Sequence, residues 1–218
     1  MLGELLQVVT GGATDAERRV YGVALAQVVS NTDLSGLGRV QLRLPWLPGH
    51  TPWARIATLF AGQGCGSYFI PQEGDEVLVA FNQGNVMDPY VLGSLWNGRD
   101  KPPFTNALDP QQKRALHTPA GHEVLLDEQQ QSISIKTSTG QKITLAPDRI
   151  ELAAGDNAKI TLLTSGTIKL EANVAIEIKA ANITASATGK IELKGSANAT
   201  LDGGALCVVK GALVNINS

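Results

Sequence analysis

Short apolar segments follow one another through the second half of the chain. From about Gly121 onward, apolar and polar residues alternate strictly, and the alternating segments recur about every eight residues, which is typical of a series of short β-strands. One face of these strands collects Ile168, Leu170, Ile176, Ile178, Ile191 and Leu193. The other face collects Lys169, Glu171, Glu177, Lys179, Lys190, Glu192 and Lys194. Repeats with one apolar face must stack to bury it.

The repeat length predicts how the strands stack. A single chain needs roughly 18 residues for one turn of a three-sided β-coil, so each octad supplies one side. About ten octads would then form barely three turns with two open sheet ends, which is a poor core. Three identical chains wound about one axis leave no long open edge. The pattern therefore favours an intertwined triple-stranded β-helix, a homotrimeric prism on the order of 50 Å long.

Composition favours a thin, stiff rod. All ten aromatic residues lie at or before Phe104, and the last proline is Pro147. Beyond Pro147 nothing interrupts a strand ladder, and Ala, Ile, Leu and Val suit a narrow interior. Charged residues on the outer face are expected to be solvated or to form weak cross-strand pairs.

The first half of the chain predicts a small antiparallel barrel. Apolar alternation and Gly/Pro-rich turns mark strands in VYGVALAQVVS, RVQLRLPWL, WARIATLF, GSYFI, DEVLVAF and PYVLGSLW. Five or six strands closing in fewer than about eighty residues indicate an OB-type barrel. Its core is expected to use the aromatic residues Trp46, Trp53, Phe60, Phe69, Phe81, Tyr90 and Trp96. The fold class is therefore all-β, an N-terminal OB-fold barrel followed by the trimeric β-helix.

Four segments are predicted along the chain. Residues 1–19 are a short amphipathic helix or flexible lead-in, and residues 20–97 form the barrel. Residues 98–119, with four prolines, form a stiff connector, and residues 120–218 form the β-helix. Residues 1–19 lack the cationic start and apolar run of a secretory signal, so the protein is expected to be made in the cytosol.

The barrel segment resembles the OB domain of VgrG-type spikes and of phage baseplate assembly protein V. The matching elements are Gly38-Arg39-Val40 through Pro45, Pro71 through Phe81, Gly84, and Pro89 through Pro103. Asn85 stands where the family usually has aspartate, and either residue tolerates the turn. The stretch from His117 to Glu128 resembles the start of the needle in the same proteins, and the octads resemble their trimeric β-helix.

The resemblance implies a function. A chain of this kind is expected to be the central spike of a contractile injection apparatus, in a phage tail, a tailocin or a secretion machine, and to pierce the target cell envelope. About twenty residues precede the barrel, so a separate baseplate hub protein is expected. In family members that lack a metal-holding His-x-His tip, the blunt end of the needle carries a conical tip protein of the PAAR type. Here the residues expected to form that platform are Leu213, Val214, Asn215, Ile216 and Asn217.

Side chains that carry chemistry are sparse. None of His50, His117 and His122 has a partner at structural-metal spacing, and Cys65 and Cys207 are too far apart to pair within one chain. Three carboxylates, Glu73, Asp75 and Glu76, are adjacent in a turn and are expected to be solvated. No catalytic residue, cofactor or metal is therefore expected, and the chain is predicted not to be an enzyme.

Two other function classes stay open. A β-helical carbohydrate-binding tailspike would need aromatic platforms along the rod, and a glycan-binding screen would detect it. An OB-fold module that binds single-stranded nucleic acid would use a basic face, for which Arg39, Arg43 and Arg55 are the candidates. A formal net charge of −2 argues against that module, and a gel shift at low salt tests it.

Overall fold

The structure is a computed structural model and describes residues 19–216. Five strands close into a barrel in the order β1-β2-β3-β7-β6. They are β1 (Ala24–Ser30), β2 (Val40–Arg43), β3 (Trp53–Ile56), β6 (Glu76–Phe81) and β7 (Pro89–Leu95). All neighbouring pairs are antiparallel except β3 and β7, which run parallel. A two-stranded hairpin, β4 (Ala61–Gly62) and β5 (Cys65–Gly66), interrupts the loop between β3 and β6.

Strand alternation determines what lies inside the barrel. Along β6, Val77, Val79 and Phe81 are 0, 0 and 8% exposed, as the alternation of this segment predicted, while the residues between them face outward. The rest of the core is aliphatic and consists of Ala26, Val28, Val40, Leu42, Leu44, Leu47, Ala54, Val86 and Val91.

The expectation of an aromatic core is wrong, with the exception of Phe81. Trp53 and Tyr90 occupy outward positions because their neighbours Ala54 and Val91 point inward. Trp46 is 40% exposed and lies edge-on against Phe81, with 6.0 Å between ring centroids. Phe60, Phe69 and Trp96 are 59–70% exposed. A small five-stranded barrel leaves a narrow interior, which aliphatic side chains fill.

The segment GSYFI is not a strand, contrary to the prediction. Gly66 ends β5, and residues 67–70 have no ladder partner in the described chain. The barrel is already closed without them, because β3 pairs with β2 and β7, and β1 pairs with β6. No edge is left to which they could add.

Two turn glycines of the barrel have positive φ. Gly74, before β6, has φ of +97°, and Gly84, in a 3₁₀ turn between β6 and β7, has φ of +79°. A Cβ at Gly84 would lie 3.2 Å from the Arg19 Cβ and the Val20 amide nitrogen. Glycine is required there for both reasons.

A second sheet follows the barrel and is called the C-terminal sheet here. Its strands are β8 (Lys113–His117), β9 (Glu123–Asp127), β10 (Ser132–Lys136), β11 (Gln141–Leu145), β12 (Arg149–Ala154), β13 (Ala158–Leu163) and β14 (Ile168–Ala172). Consecutive strands pair antiparallel in sequence order. The prediction of short strands at octad spacing is confirmed for β9 to β14.

The segment between the two sheets contains regular structure. A single-turn helix, α1 (Asp109–Gln112), and strand β8 both lie inside residues 98–119, the range predicted as a connector without repeats. The Lys113 Nζ lies 2.8 Å from the Asp109 Oδ1 and 5.0 Å from the centre of the Phe104 ring. The ammonium lowers the pKa of Asp109, and the carboxylate raises the pKa of Lys113. These contacts hold the start of β8 against α1.

The pairing differs from the predicted coil in two ways. Up to Ala172 each strand pairs with its neighbours in the same chain, whereas the octad pattern predicted strands flanked by partner chains. Residues 173–216 contain further alternating segments, but within the described chain they form no strand ladder. A strand requires a neighbour, and the single chain supplies none to these segments. The predicted lead-in at residues 1–19 lies outside the described residues, except for Arg19, which forms a bridge with Asn85.

Candidate functional site

One face of the C-terminal sheet is apolar and exposed. The register of the strands aligns their apolar side chains in two parallel rows, or ladders, that cross this face side by side. One ladder contains Ile133, Leu145, Ile150, Leu162 and Ile168, and the other contains Ile135, Ile143, Leu152, Ile160 and Leu170. These ten side chains are 38–69% exposed. Such a large contiguous apolar surface is typical of an interface with another protein chain.

The opposite face of the same sheet is polar, with exposed lysines at its edges and two buried threonines at its centre. Thr144 and Thr161 are 8 and 6% exposed, and the Thr144 hydroxyl has no hydrogen-bond partner in the described chain. Lys159 and Glu171 face each other across β13 and β14, with 3.2 Å between the ammonium and a carboxylate oxygen. The single chain therefore buries the hydroxyl groups of Thr144 and Thr161 while the isoleucines of the other face stay exposed, and the hydrophobic effect disfavours that exposure.

A groove runs along the apolar face. Its volume is about 570 Å³, and its lining includes Ile143, Leu152, Ile160, Leu170 and Ile176. Because Ile176 follows β14, the groove lies where the regular sheet ends and the unpaired segment begins. The exposed surface of the groove is mostly apolar, although Thr137, Gln141, Lys142, Lys159 and Glu171 also border it, so the groove suits the apolar side chains of a protein partner.

The residues predicted to bind a tip protein are exposed. Leu213 and Ile216 are 79 and 78% exposed, Val214 is 47% exposed, and Asn215 is also exposed. Asn217, the fifth predicted residue, lies outside the described residues. Leu213, Val214 and Ile216 thus add three apolar side chains to the exposed surface of the unpaired segment.

Two arginines face outward on the barrel. The Arg55 guanidinium lies 4.6 Å from the centre of the Tyr90 ring and donates a hydrogen bond to its hydroxyl, at 2.5 Å. Arg43 donates a hydrogen bond to the Gln27 side chain. Arg39, the third predicted member of a basic face, forms an ion pair with Asp33 at 3.0 Å and is thereby neutralised. Within residues 19–216, this face carries two arginines without an ion-pair partner, Arg43 and Arg55, on the adjacent strands β2 and β3, which is a small basic surface for a nucleic-acid site.

The histidines, cysteines and carboxylates of residues 19–216 are dispersed. No group of three or more His, Cys, Asp or Glu side chains is placed to hold a metal ion within residues 19–216. The His117 Nδ1 lies 3.3 Å from a Glu123 oxygen across β8 and β9, and the Ser138 amide donates a hydrogen bond to the His122 Nδ1. Both contacts belong to the strands and turns of the C-terminal sheet. Across the same described span, no helix is long and apolar enough to cross a membrane.

Two protein-family models match consecutive parts of the chain. Residues 24–96 match the type VI secretion system/phage-baseplate injector OB domain. Residues 113–168 match the phage baseplate V C-terminal trimerisation domain. The first match covers the barrel, and the second covers the sheet that carries the exposed apolar face.

Curated relatives are similar over the same regions. The chain is 34% identical to the type VI secretion system spike protein VgrG2a of Pseudomonas aeruginosa over 73 residues, 31% of this chain and 9% of the relative. It is 29% identical to the spike protein VgrG3 of Vibrio cholerae over 113 residues, 47% of this chain and 11% of the relative. It is 26% identical to VgrG1b of P. aeruginosa over 137 residues, 56% of this chain and 18% of the relative. The chain therefore matches less than a fifth of each of these relatives.

Sequence reasoning missed one exposed surface. Leu34, Leu59, Phe60, Tyr68 and Phe69, in two loops of the barrel, are 59–95% exposed, although Phe60 and Phe69 were predicted to lie in the core. The glycines of AGQGCG, which break the alternation just before residues 67–70, were the available signal that the aromatic residues beside them lie in a loop.

Proposed function

The chain belongs to the family of VgrG-type and phage baseplate V spike proteins, and from that premise we propose that it is the central spike of a contractile injection apparatus. The family implies a component of a phage tail or injection system. The exposed apolar face of the C-terminal sheet is the observation that carries the proposal. A surface of this kind is stable in water only when other chains cover it, and the matched trimerisation domain supports three copies of this chain.

The proposed role is mechanical. Three C-terminal sheets that face one axis would bury their paired Ile and Leu ladders, and the unpaired segments after Ala172 would gain ladder partners from the neighbouring copies. Each strand is then held by many hydrogen bonds, so an axial load is distributed along the rod. Sheath contraction drives such a rod through the target envelope. We propose no enzymatic activity for it.

Two partners belong to the proposal. A baseplate hub would bind on the side of the barrel, and a PAAR-type tip protein would bind at Leu213, Val214, Asn215, Ile216 and Asn217. The exposure of Leu213 and Ile216 supports the second contact. Replacing both residues by aspartate is expected to abolish co-purification of the tip protein, whereas Lys179→Asp, which places the same side chain at an exposed position outside these five residues, is expected to retain it. Equal recovery with all variants would remove the tip contact from the proposal.

Native mass spectrometry of the purified full chain tests the trimer. The expected particle has three times the 22.9 kDa mass of one chain. A monomer at micromolar concentration would contradict the proposal, since the apolar face would then be stable without partners.

Deleting the gene in the phage or bacterium that encodes this chain tests the spike function itself. Electron microscopy is expected to show no complete baseplates, and killing or injection of target cells is expected to disappear. Fully active particles in the deletion strain would refute the role.

A further inference from the structure

The first strand of the C-terminal sheet, β8, has one paired side and one outer edge. Lys113 lies opposite Asp127 of β9, and beside this pair the Glu128 amide donates to the Gln112 carbonyl at 2.7 Å. In an antiparallel ladder this bond marks Lys113 as a non-hydrogen-bonded position, whose own N–H and C=O point away from β9. Because the pattern repeats every second residue, the residues that direct their backbone groups to the outer edge are Lys113, Ala115 and His117.

The start of this edge is occupied by groups of the same chain. The Lys113 amide donates to the Asp109 carbonyl of α1. The Lys113 carbonyl accepts a hydrogen bond from the Arg114 guanidinium at 2.9 Å, and the same guanidinium nitrogen donates to the Pro110 carbonyl at 3.1 Å. Both edge groups of Lys113 are therefore unavailable to another strand. Within residues 19–216, the edge groups that remain without a partner belong to Ala115 and His117.

Side-chain contacts hold α1 in this position. Asp109 is 7% exposed, and its carboxylate accepts a hydrogen bond from the Asn106 amide at 2.9 Å. The other carboxylate oxygen lies 2.8 Å from the Lys113 Nζ. The Asp109 side chain thus joins α1 to the first residue of β8, so the carbonyl that receives the Lys113 amide is fixed in place.

Arg114 interrupts one of the apolar rows of the sheet. The register places it opposite Leu126, on the face that carries the Ile and Leu ladders. Every later position in this row is Leu or Ile, up to Ile168 in β14. A charged residue that points toward the apolar side of an edge strand is one of the features by which proteins prevent unwanted strand pairing.

The opposite edge of the sheet, at β14, has no such features. The Asn173 amide donates to the Asn157 carbonyl at 2.9 Å, which fixes the parity of this strand. The residues that direct their backbone groups outward are Ile168, Leu170 and Ala172. Within the described chain these groups have no ladder partner, and the side chains of Ile168 and Leu170 are 69 and 52% exposed. The sheet therefore has one obstructed edge and one open edge.

We propose that α1, Lys113 and Arg114 form an edge cap, which prevents β8 from pairing with a strand of another chain and directs strand addition to β14. Two residues with free edge groups are fewer than the roughly five of an ordinary strand, so β8 is a poor template. Without the cap, particles could join through β8 and form open-ended aggregates. This inference goes beyond the spike role, because it concerns the edge at which the sheet accepts a strand.

Replacing the arginine tests the cap in the full chain. Arg114→Leu continues the apolar row and frees the Lys113 and Pro110 carbonyls. The variant particles are expected to associate with one another, with an association constant at least about tenfold higher than for the unmodified chain. Sedimentation at several concentrations measures this constant. Arg149→Leu is the matched control, the same substitution in β12, whose two edges are both paired, and is expected to leave association unchanged.

Three outcomes of this experiment would overturn the cap. The first is an Arg114→Leu variant that does not associate. The second is equal association of Arg149→Leu, which would attribute the effect to any exposed leucine. The third is a particle smaller than that of the unmodified chain, because Arg114 would then belong to a contact between copies. Arg114→Lys retains the positive charge and is expected to keep the particles separate.

Amide exchange of the unmodified full chain tests the cap even if Arg114→Leu fails to fold. Ala115 directs its amide to the edge, whereas Leu125, opposite it in β9, directs its amide to β10. The Ala115 amide is expected to exchange at least about a hundredfold faster than the Leu125 amide. Equal protection would overturn the proposal, since another strand would already pair with β8. A monomeric unmodified chain would contradict the spike proposal but leave this comparison valid, so the two failures are distinguishable.

Discussion

The barrel and the C-terminal sheet use the same alternation of apolar and polar residues with opposite results. In β6 the inward residues are almost fully buried by the other four strands of the same barrel. In β12 and β13 the apolar residues are about two-fifths exposed, because the sheet is open and nothing in its own chain covers that face. An alternating strand specifies only that one face must be buried. Closure of the sheet determines whether the chain can do this alone.

The largest expected effect comes from breaking the C-terminal sheet at its apolar face. Ile160→Asp would place three carboxylates near the threefold axis, and burying each without a partner costs several kcal/mol. We expect the trimer to dissociate, as measured by light scattering after size-exclusion chromatography. Lys169→Asp introduces the same side chain on the opposite face, beside Thr161, and is expected to leave the trimer intact. A trimeric Ile160→Asp variant would show that this face is not the interface.

A substitution in the barrel core is expected to lower the stability of the barrel without changing the number of chains in the particle. Leu42 is fully buried, so Leu42→Ala should lower the free energy of unfolding of the barrel by about 2–5 kcal/mol, through lost burial and the cavity left behind. Denaturant unfolding followed by tryptophan fluorescence measures this. The particle mass should not change, because the barrel core lies within one chain. Val23→Ala, at a position that is 60% exposed, is the control and should cost less than about 0.5 kcal/mol.

Alanine substitutions at two turn glycines, one in the barrel and one in the C-terminal sheet, compare how tightly the turns of the two regions are packed. Gly84 in the barrel and Gly140 in the C-terminal sheet both have positive φ, +79° and +95°. The space around the two glycines differs. A Cβ at Gly84 would contact Arg19 and Val20, whereas a Cβ at Gly140 would have no atom within 4 Å. We therefore expect Gly140→Ala to cost about 1 kcal/mol for backbone strain alone and Gly84→Ala up to about 3 kcal/mol. Equal losses in thermal unfolding would show that the contacts at Gly84 relax without cost.

The smallest expected effect concerns the ion pair that holds the β1–β2 loop. Hydrogen bonds from Arg39 and Ser35 hold the pKa of Asp33 well below its usual value of 3.8. A lowered carboxylate pKa contributes stability above the unfolded-state pKa, and this contribution is lost as the pH falls through the lower folded-state value. Asp33→Asn should therefore lower the melting temperature slightly by a constant amount from pH 7 to about pH 5. Below about pH 4 the difference should shrink. A difference that already vanishes at pH 5 would contradict the lowered pKa.

Much of the local structure was predictable from the sequence. The octad pattern located β9 to β14, and the alternation in DEVLVAF identified Val77, Val79 and Phe81 as inward residues. Gly74 and Gly84, which belong to the family motif read from the sequence, both have positive φ. These features depend on neighbours in the sequence, so short-range patterns suffice to find them.

The errors share one cause. Phe60, Phe69 and Trp96 were assigned to the core because aromatic residues bury large areas, but strand parity and loop position direct them outward. The segment GSYFI has strand-like composition, yet the closed barrel offers it no edge. The glycines of AGQGCG indicate that Phe60 and Phe69 lie in a loop, but no local pattern shows that Leu34 is at the same end of the barrel, because the β1–β2 and β3–β6 loops are far apart in the chain.

Alternation and repeat length alone determined that this chain is all-β and that its second half has an apolar face too large for one chain to bury. Tertiary structure alone decided which strands close on themselves, because closure depends on pairing between residues far apart in sequence. The tertiary structure also determines that strands β8 to β14 pair within one chain and that the bulky residues of the barrel loops face solvent. A local pattern shows that a side chain favours a buried position. Only the three-dimensional arrangement shows which surface, in the same chain or in another, buries it.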